Sequence, residues 1–266
     1  MKRHLLLQLA CGFVTVALLA IGSNVLAADS SEELAKKTQN PVADLISLPL
    51  QSNWDFDLGP KENKSSYTMN VQPVLPFSLN EEYNLITRTI IPIKKIELPE
   101  SESGVGDINQ SFFLSPKKPV NGWIIGGGPV FLYPTASDEL LGGEKWAAGP
   151  TAVFLKQEHG WTYGLLANHL WSFAGDNDRE DISSTFLQPF LTYTTKTYTT
   201  PGINTESTYD WEAEQWTVPI NLTVTQLLKI GGHPISLQLG YRYYADAPKY
   251  GPDWGLRFAL TFLFPK

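Results

Sequence analysis

The sequence predicts an all-β protein: a closed antiparallel transmembrane β-barrel of twelve strands, preceded by a short N-terminal helix. Three observations predict it. Apolar and polar residues alternate with period two in run after run beyond residue 45. The 8 tryptophans fall near the ends of those runs. The connections alternate between long polar segments and short turns. Together these are properties of a sheet closed on itself with lipid against its outer face.

The chain opens with Lys2, Arg3 and His4, continues with an apolar run at 5–21, and closes that segment on Val25-Leu26-Ala27. A basic start, an apolar middle and small residues at the end form a cleavable secretory signal over residues 1–27, with a mature start at Ala28 or Asp29. A transmembrane anchor is the alternative, because the run is near the lower length limit for crossing a bilayer. A lipid anchor on Cys11 is disfavoured by Gln8, which stands where that motif requires Leu. Without residues 1–27 the chain keeps 18 basic and 27 acidic residues, a formal charge of −9, and no cysteine. An internal disulfide and a thiolate metal site are thereby excluded. So is nucleic acid as a partner, since its affinity comes mainly from Lys and Arg. Aromatic residues make up 12% and charged residues only 18% of the sequence, a balance that suits a membrane barrel better than a soluble domain.

Residues 28–43 read as a separate polar segment. A serine cap and a basic last turn predict a helix within 29–40, and Pro41 ends it. The barrel follows, over 44–266. Its first strand, 46–56, sets Ile46, Leu48, Leu50, Trp54 and Phe56 against Ser47, Gln51, Asn53 and Asp55. The second, 67–78, alternates Tyr67, Met69, Val71, Leu75 and Phe77 with Thr68, Asn70, Gln72 and Ser78. Less regular runs at 83–94, 107–115, 123–133, 146–156, 161–173, 182–194 and 197–211 fill the middle; 161–173 is apolar on both faces. The last three strands, 216–225, 235–244 and 256–264, return to strict alternation. Twelve is an even number, as single-chain bacterial barrels require, and several runs have the ~9–11 residues that cross a bilayer obliquely.

With a periplasmic N-terminus, the external connections are 59–66, 95–106, 134–145, 174–181, 212–215 and 246–253. These carry most of the acidic material, whereas the periplasmic turns are mostly short. On this topology Trp123 and Trp161 open strands at the periplasmic side. Trp54, Trp146, Trp171, Trp211, Trp216 and Trp254 lie at or near the outer ends, in company with Tyr67, Tyr133 and Tyr209. Such rings settle at headgroup depth, so the tryptophans are expected as membrane-interface anchors. A soluble sandwich would bury them in mid-strand.

The same parity assigns Asp55, Asp57, Arg88, Asp107, Glu206, Asp210, Arg242 and Arg257 to the lumen, where charge escapes the cost of facing lipid. Arg242 and Arg257 are expected at matching height on neighbouring strands, with Asp55 and Asp57 brought near by closure of the last strand on the first. Two readings stand side by side: a salt-bridge network that stiffens the barrel, or a charged constriction that selects solutes. No catalytic set emerges. His169 and Ser172 are three residues apart on a strand, and odd spacing puts them on opposite faces. His159 and His233 read as turn residues. Gly126-Gly-Gly-Pro129 lacks the Lys and Ser/Thr of a phosphate loop and reads as a bulge or a close backbone approach. The acidic loop 176–181 lacks the ligand spacing and glycine of a calcium loop. No cofactor or metal is expected.

Several runs of the chain match one group of proteins: Leu34-Ala-Lys-Lys-Thr-Gln-Asn-Pro-Val-Ala-Asp-Leu-Ile-Ser, Gln72-Pro-Val-Leu-Pro-Phe-Ser-Leu-Asn, Gly106-Asp-Ile-Asn-Gln-Ser-Phe-Phe, Gly128-Pro-Val-Phe-Leu-Tyr-Pro-Thr-Ala, Ala167-Asn-His-Leu-Trp-Ser, Asn204-Thr-Glu-Ser-Thr-Tyr-Asp-Trp-Glu and Leu263-Phe-Pro-Lys. On these the chain resembles a bacterial family of outer-membrane β-barrel transporters sometimes labelled "neuromedin U". It is more distantly similar to barrels named for a phenol-degradation (MetA) pathway. The resemblance covers nearly all of the chain after the signal and implies a Gram-negative outer-membrane barrel. It supplies no catalytic motif and no ligand set. The expected function is a channel for passive movement of a small solute. Its expected partners are outer-membrane lipids and the barrel-assembly machinery. The competing readings are a structural or adhesive barrel and a lipid-modifying outer-membrane enzyme.

Overall fold

The computed structural model describes residues 31–265, so the secretory-signal reading of residues 1–27 lies outside the described residues. Among the described residues one helix, α1 (Ser31–Lys37), precedes the strands β1 (Ile46–Leu58), β2 (Lys64–Val71), β3 (Val74–Ser78), β4 (Tyr83–Ile96), β5 (Glu102–Val105), β6 (Ile108–Pro116), β7 (Trp123–Tyr133), β8 (Lys145–Glu158), β9 (Trp161–Gly175), β10 (Ser183–Tyr193), β11 (Thr199–Thr205), β12 (Ser207–Asp210), β13 (Gln215–Ile230), β14 (His233–Asp246) and β15 (Trp254–Phe264). Among the described residues these segments form the twelve strands of a closed antiparallel barrel. Three of the twelve are interrupted: β2 with β3, β5 with β6, and β11 with β12. Closure comes from β15 pairing with β1, in register from Ile46 opposite Phe264 to Phe56 opposite Trp254.

Each interruption has a local cause. Pro73 follows Gln72 and has no N–H to give the ladder. At Gly106–Asp107 the Asp107 carboxylate turns away to accept from the amides of Ala136 at 3.0 Å and Gly143 at 2.7 Å. At Glu206 the facing residue is Pro219, next to a register shift between Val218 and Pro219. The segment 95–106, expected as one loop, contains β5, which pairs Ile96 with Glu102 through Ile93 with Val105. Glu-Ser-Gly-Val carries no apolar alternation, so only backbone pairing reveals it.

The two ends of the barrel differ. At one end β8 turns into β9 through His159 and Gly160, with φ of 51° and 85°, and β13 into β14 through Gly231 and Gly232, with φ of 57° and 84°. Positive φ at both central residues gives a hairpin turn whose twist matches its strands. The connection at 116–122 tightens the same way, because Val120 bridges Trp123. The other end carries the longer connections, the asymmetry of outer-membrane barrels. Leu222, Leu239, Leu256 and Phe154 stand exposed on the outer face. Apolar surface of that extent has no stable place in water, and the chain is an outer-membrane β-barrel.

The interior is not uniformly polar. Ile86, Phe113, Val153, Leu155 and Leu166 are buried together on one lumen wall, with Val42 of the N-terminal segment packed on them. This accounts for the two apolar faces of the run 161–173: Leu165 faces outward while Leu166 meets Val42's cluster.

Candidate functional site

The segment from Ser31 to Leu45 enters the barrel mouth at the short-turn end. Leu34 and Ala35 of α1 pack with Ala43, Leu45, Leu227 and Leu263. Gln157 of β8 donates to the Lys36 carbonyl at 2.8 Å, and Asn40 accepts from the Val42 amide at 3.0 Å, shaping the bend after the helix. The glycine run of β7 serves this contact. A side chain at Gly126 would meet Val42 Cγ1 at 3.1 Å and Phe113 Cβ at 3.4 Å. Close backbone approach, not phosphate binding, is what these glycines provide.

Deeper in the lumen, arginines from β14 and β15 converge on one carboxylate, Glu206, which lies between β11 and β12. Arg257 of β15 donates to both Glu206 oxygens, at 2.8 and 2.6 Å, and through Nε to Asn53 Oδ1 at 2.7 Å. Arg242 of β14 reaches Asp55 at 3.0 Å, Asn53 at 3.2 Å, Glu206 at 3.4 Å and the Tyr244 hydroxyl at 2.7 Å. The two arginines are not at matching height. Arg257 faces Gly240 and Arg242 faces Gly255, so one inward position separates them, and their long side chains converge on Glu206. Both arginines are buried, which makes their bonds to carboxylates obligatory: breaking such a pair leaves an uncompensated charge.

Arg88 on β4 belongs to the same region, within electrostatic range of Glu206, but its hydrogen-bond partner is neutral: Nη2 donates to Gln72 Oε1 at 2.8 Å. Asp57, Asp107 and Asp210, expected with the lumen charges, do not join. Asp57 accepts from the Trp254 indole at 2.8 Å. Asp107 anchors the loop after β7, and Asp210 caps the turn after β12 by accepting from the amides of Glu212 and Ala213. Sequence parity overlooked Asn53 and Gln72, neutral side chains that organise the arginines. Their inward parity was the available signal.

Between the N-terminal segment and the charged network lies a cavity of about 240 Å³. Amides and hydroxyls supply much of its wall, including Gln51, Gln72, Gln188, Asn204, Thr223, Thr225, Gln238 and Thr261. It sits one inward position toward the short-turn end from the network, since Gln51 pairs with Ala259 and Asn53 with Arg257.

All eight tryptophans lie at or near strand ends. Trp123, Trp161 and Trp254 are first residues of β7, β9 and β15, and Trp146 and Trp216 are second in β8 and β13. Trp211 follows β12, while Trp54 and Trp171 stand four residues from the ends of β1 and β9. Six are exposed, with Trp123 and Trp254 half-buried. Trp211 donates to Thr185 Oγ1 at 2.8 Å, and His169 Nδ1 meets the same hydroxyl at 2.7 Å. Ser172 instead donates to Asp181 at 3.0 Å, so His169 and Ser172 form no nucleophile–base pair. The acidic loop 176–181 is tied to the protein: Arg179 donates to the carbonyls of Glu139 and Gly142, and Lys145 with Ser172 holds the Asp181 carboxyl below the usual carboxylate range.

The fold matches that of a solved outer-membrane protein. An outer membrane channel from Pseudomonas putida F1 has a TM-score of 0.65 at 15% identity, over 84% of this chain and 97% of that one. Outer membrane phospholipase A from Escherichia coli has a TM-score of 0.49 at 11% identity, over 93% and 95% of the two chains. At 15% identity the likeness to the channel is one of fold alone. No protein-family profile and no curated sequence matches the chain.

Proposed function

We propose that this barrel is a channel for passive movement of small solutes across the outer membrane, without covalent chemistry or a cofactor. The observation that carries the reading is the polar cavity on the lumen side of a closed wall, covered by a segment that is not part of the wall. Residues 31–45 pair with no strand; they are held by apolar packing and a few hydrogen bonds, so they can leave without opening the barrel. The fold neighbour from P. putida is described as a channel, which is compatible with this reading. In it, the terminal tryptophans rest at headgroup depth, and the partners are outer-membrane lipids and the assembly machinery that inserts barrels.

The charged network supports a second reading, a structural barrel whose lumen is braced and shut. The two separate experimentally. Full-length protein refolded into liposomes is expected to admit sorbitol, read as swelling faster than in protein-free vesicles, and to give discrete conductance steps in planar bilayers. Neither swelling nor conductance under any voltage would leave the braced barrel.

A further inference from the structure

The cavity is charged with one sign only. Among its lining residues are two cations, Arg88 from the wall and Lys37 from the N-terminal segment, and no Asp or Glu. Lys37 is paired with Glu33 at 3.2 Å. Arg88 is in a different position. The two carboxylates of the adjoining network are committed to other guanidinium groups: Asp55 to Arg242, and Glu206 to Arg257 and Arg242. Three guanidinium groups therefore share two carboxylates, and among the described residues Arg88 makes no ion pair. A half-buried guanidinium that shares the field of Glu206 with two arginines bonded directly to it keeps part of its charge uncompensated, and that charge focuses the field of the cavity on whatever anion enters.

The surroundings of Arg88 narrow the class of anion. A guanidinium presents a planar fork of donors that fits a carboxylate with two parallel hydrogen bonds. Gln188, Gln238, Asn204, Thr223 and Thr261 present neutral groups that both donate and accept, the complement of hydroxyls on a solute. At about 240 Å³ the space exceeds the ~150 Å³ that admits a benzene ring, so a six-carbon acid fits. We infer that this cavity is a binding site for a small hydroxylated organic carboxylate, held through Arg88. The inference rests on the channel reading for how the acid arrives, not for whether it binds.

Calorimetric titration of the folded full chain in detergent tests it with sodium gluconate and sorbitol, which share a carbon chain and differ in the carboxylate. Gluconate is expected to bind at least about tenfold more tightly, the factor corresponding to roughly 1.4 kcal/mol. Arg88→Gln should abolish that preference and Arg88→Lys should retain part of it. Equal affinities, absence of gluconate binding, or an unchanged preference in Arg88→Gln overturns the site. So does inorganic phosphate binding more tightly than gluconate, because the hydroxyl-matching wall then contributes nothing. If Arg88→Gln does not fold, the comparison of gluconate with sorbitol on the unaltered chain decides, together with Arg88→Lys. Failure of the channel is distinguishable: gluconate binding without vesicle swelling or conductance keeps the site and removes the channel, whereas sorbitol entry without gluconate preference does the reverse.

Discussion

Glu206 is the residue on which the interior charge balance turns, because both of its oxygens are engaged by arginines. Glu206→Gln keeps the shape and removes the charge, leaving Arg242 with Asp55 alone and Arg257 with no carboxylate. Removing one partner of a buried ion pair costs about 3–5 kcal/mol. The urea midpoint of the folded barrel should fall accordingly, and an unchanged midpoint would show that lumen water already screens these groups. Period-two parity made the lumen side of Asp55, Arg88, Glu206, Arg242 and Arg257 legible in the sequence. It failed where the strands are interrupted or end. Asp107 lies between β5 and β6 and Asp210 at the last position of β12, and there the backbone turns the side chain toward loop amides. Height was also illegible, since it depends on the register that sets Arg257 opposite Gly240, and alternation is blind to register between strands.

Among the elements, the N-terminal segment was legible as a helix but not in its position. A short helix with Glu32, Glu33, Lys36 and Lys37 has no pattern that says what it rests on. The wall does: Ile86, Phe113, Val153, Leu155 and Leu166 face the lumen, and apolar side chains inside a water-filled tube require a cover. If the channel opens by losing that cover, fixing it should close the channel. The contact of Val42 with Gly126 suits a disulfide, because a Cβ built at Gly126 comes within 3.1 Å of Val42 Cγ1, near the separation a disulfide needs. Oxidised Val42→Cys/Gly126→Cys protein should admit sorbitol several-fold more slowly than its reduced form. Equal rates would mean that solutes pass without moving the segment.

At the scale of the whole molecule the fold was the most legible feature, since twelve runs, aromatic ends and unequal connections each follow from one closed sheet with lipid outside. The strand pairing that completes it has a consequence in time. Asn53 and Asp55 sit on β1, while Arg242 and Arg257 sit on β14 and β15; the Arg257–Asn53 bond joins residues 204 apart. Contacts of such separation form late, because the chain between them must be ordered first. Until β15 docks on β1, the bonds of Asn53 and Asp55 to the two arginines cannot form, whereas those of Glu206 need only the strands on its own side. The bonds across the seam then act on its shutting, and thereafter on how long it stays shut. Interactions absent from the transition state alter unfolding rather than folding. Asp55→Asn should therefore speed urea-driven unfolding from vesicles while insertion proceeds at nearly its original rate; slowed insertion with unchanged unfolding would place the network early. A latch of this kind gives the barrel its persistence through the rate at which it opens, not through the ease with which it is made.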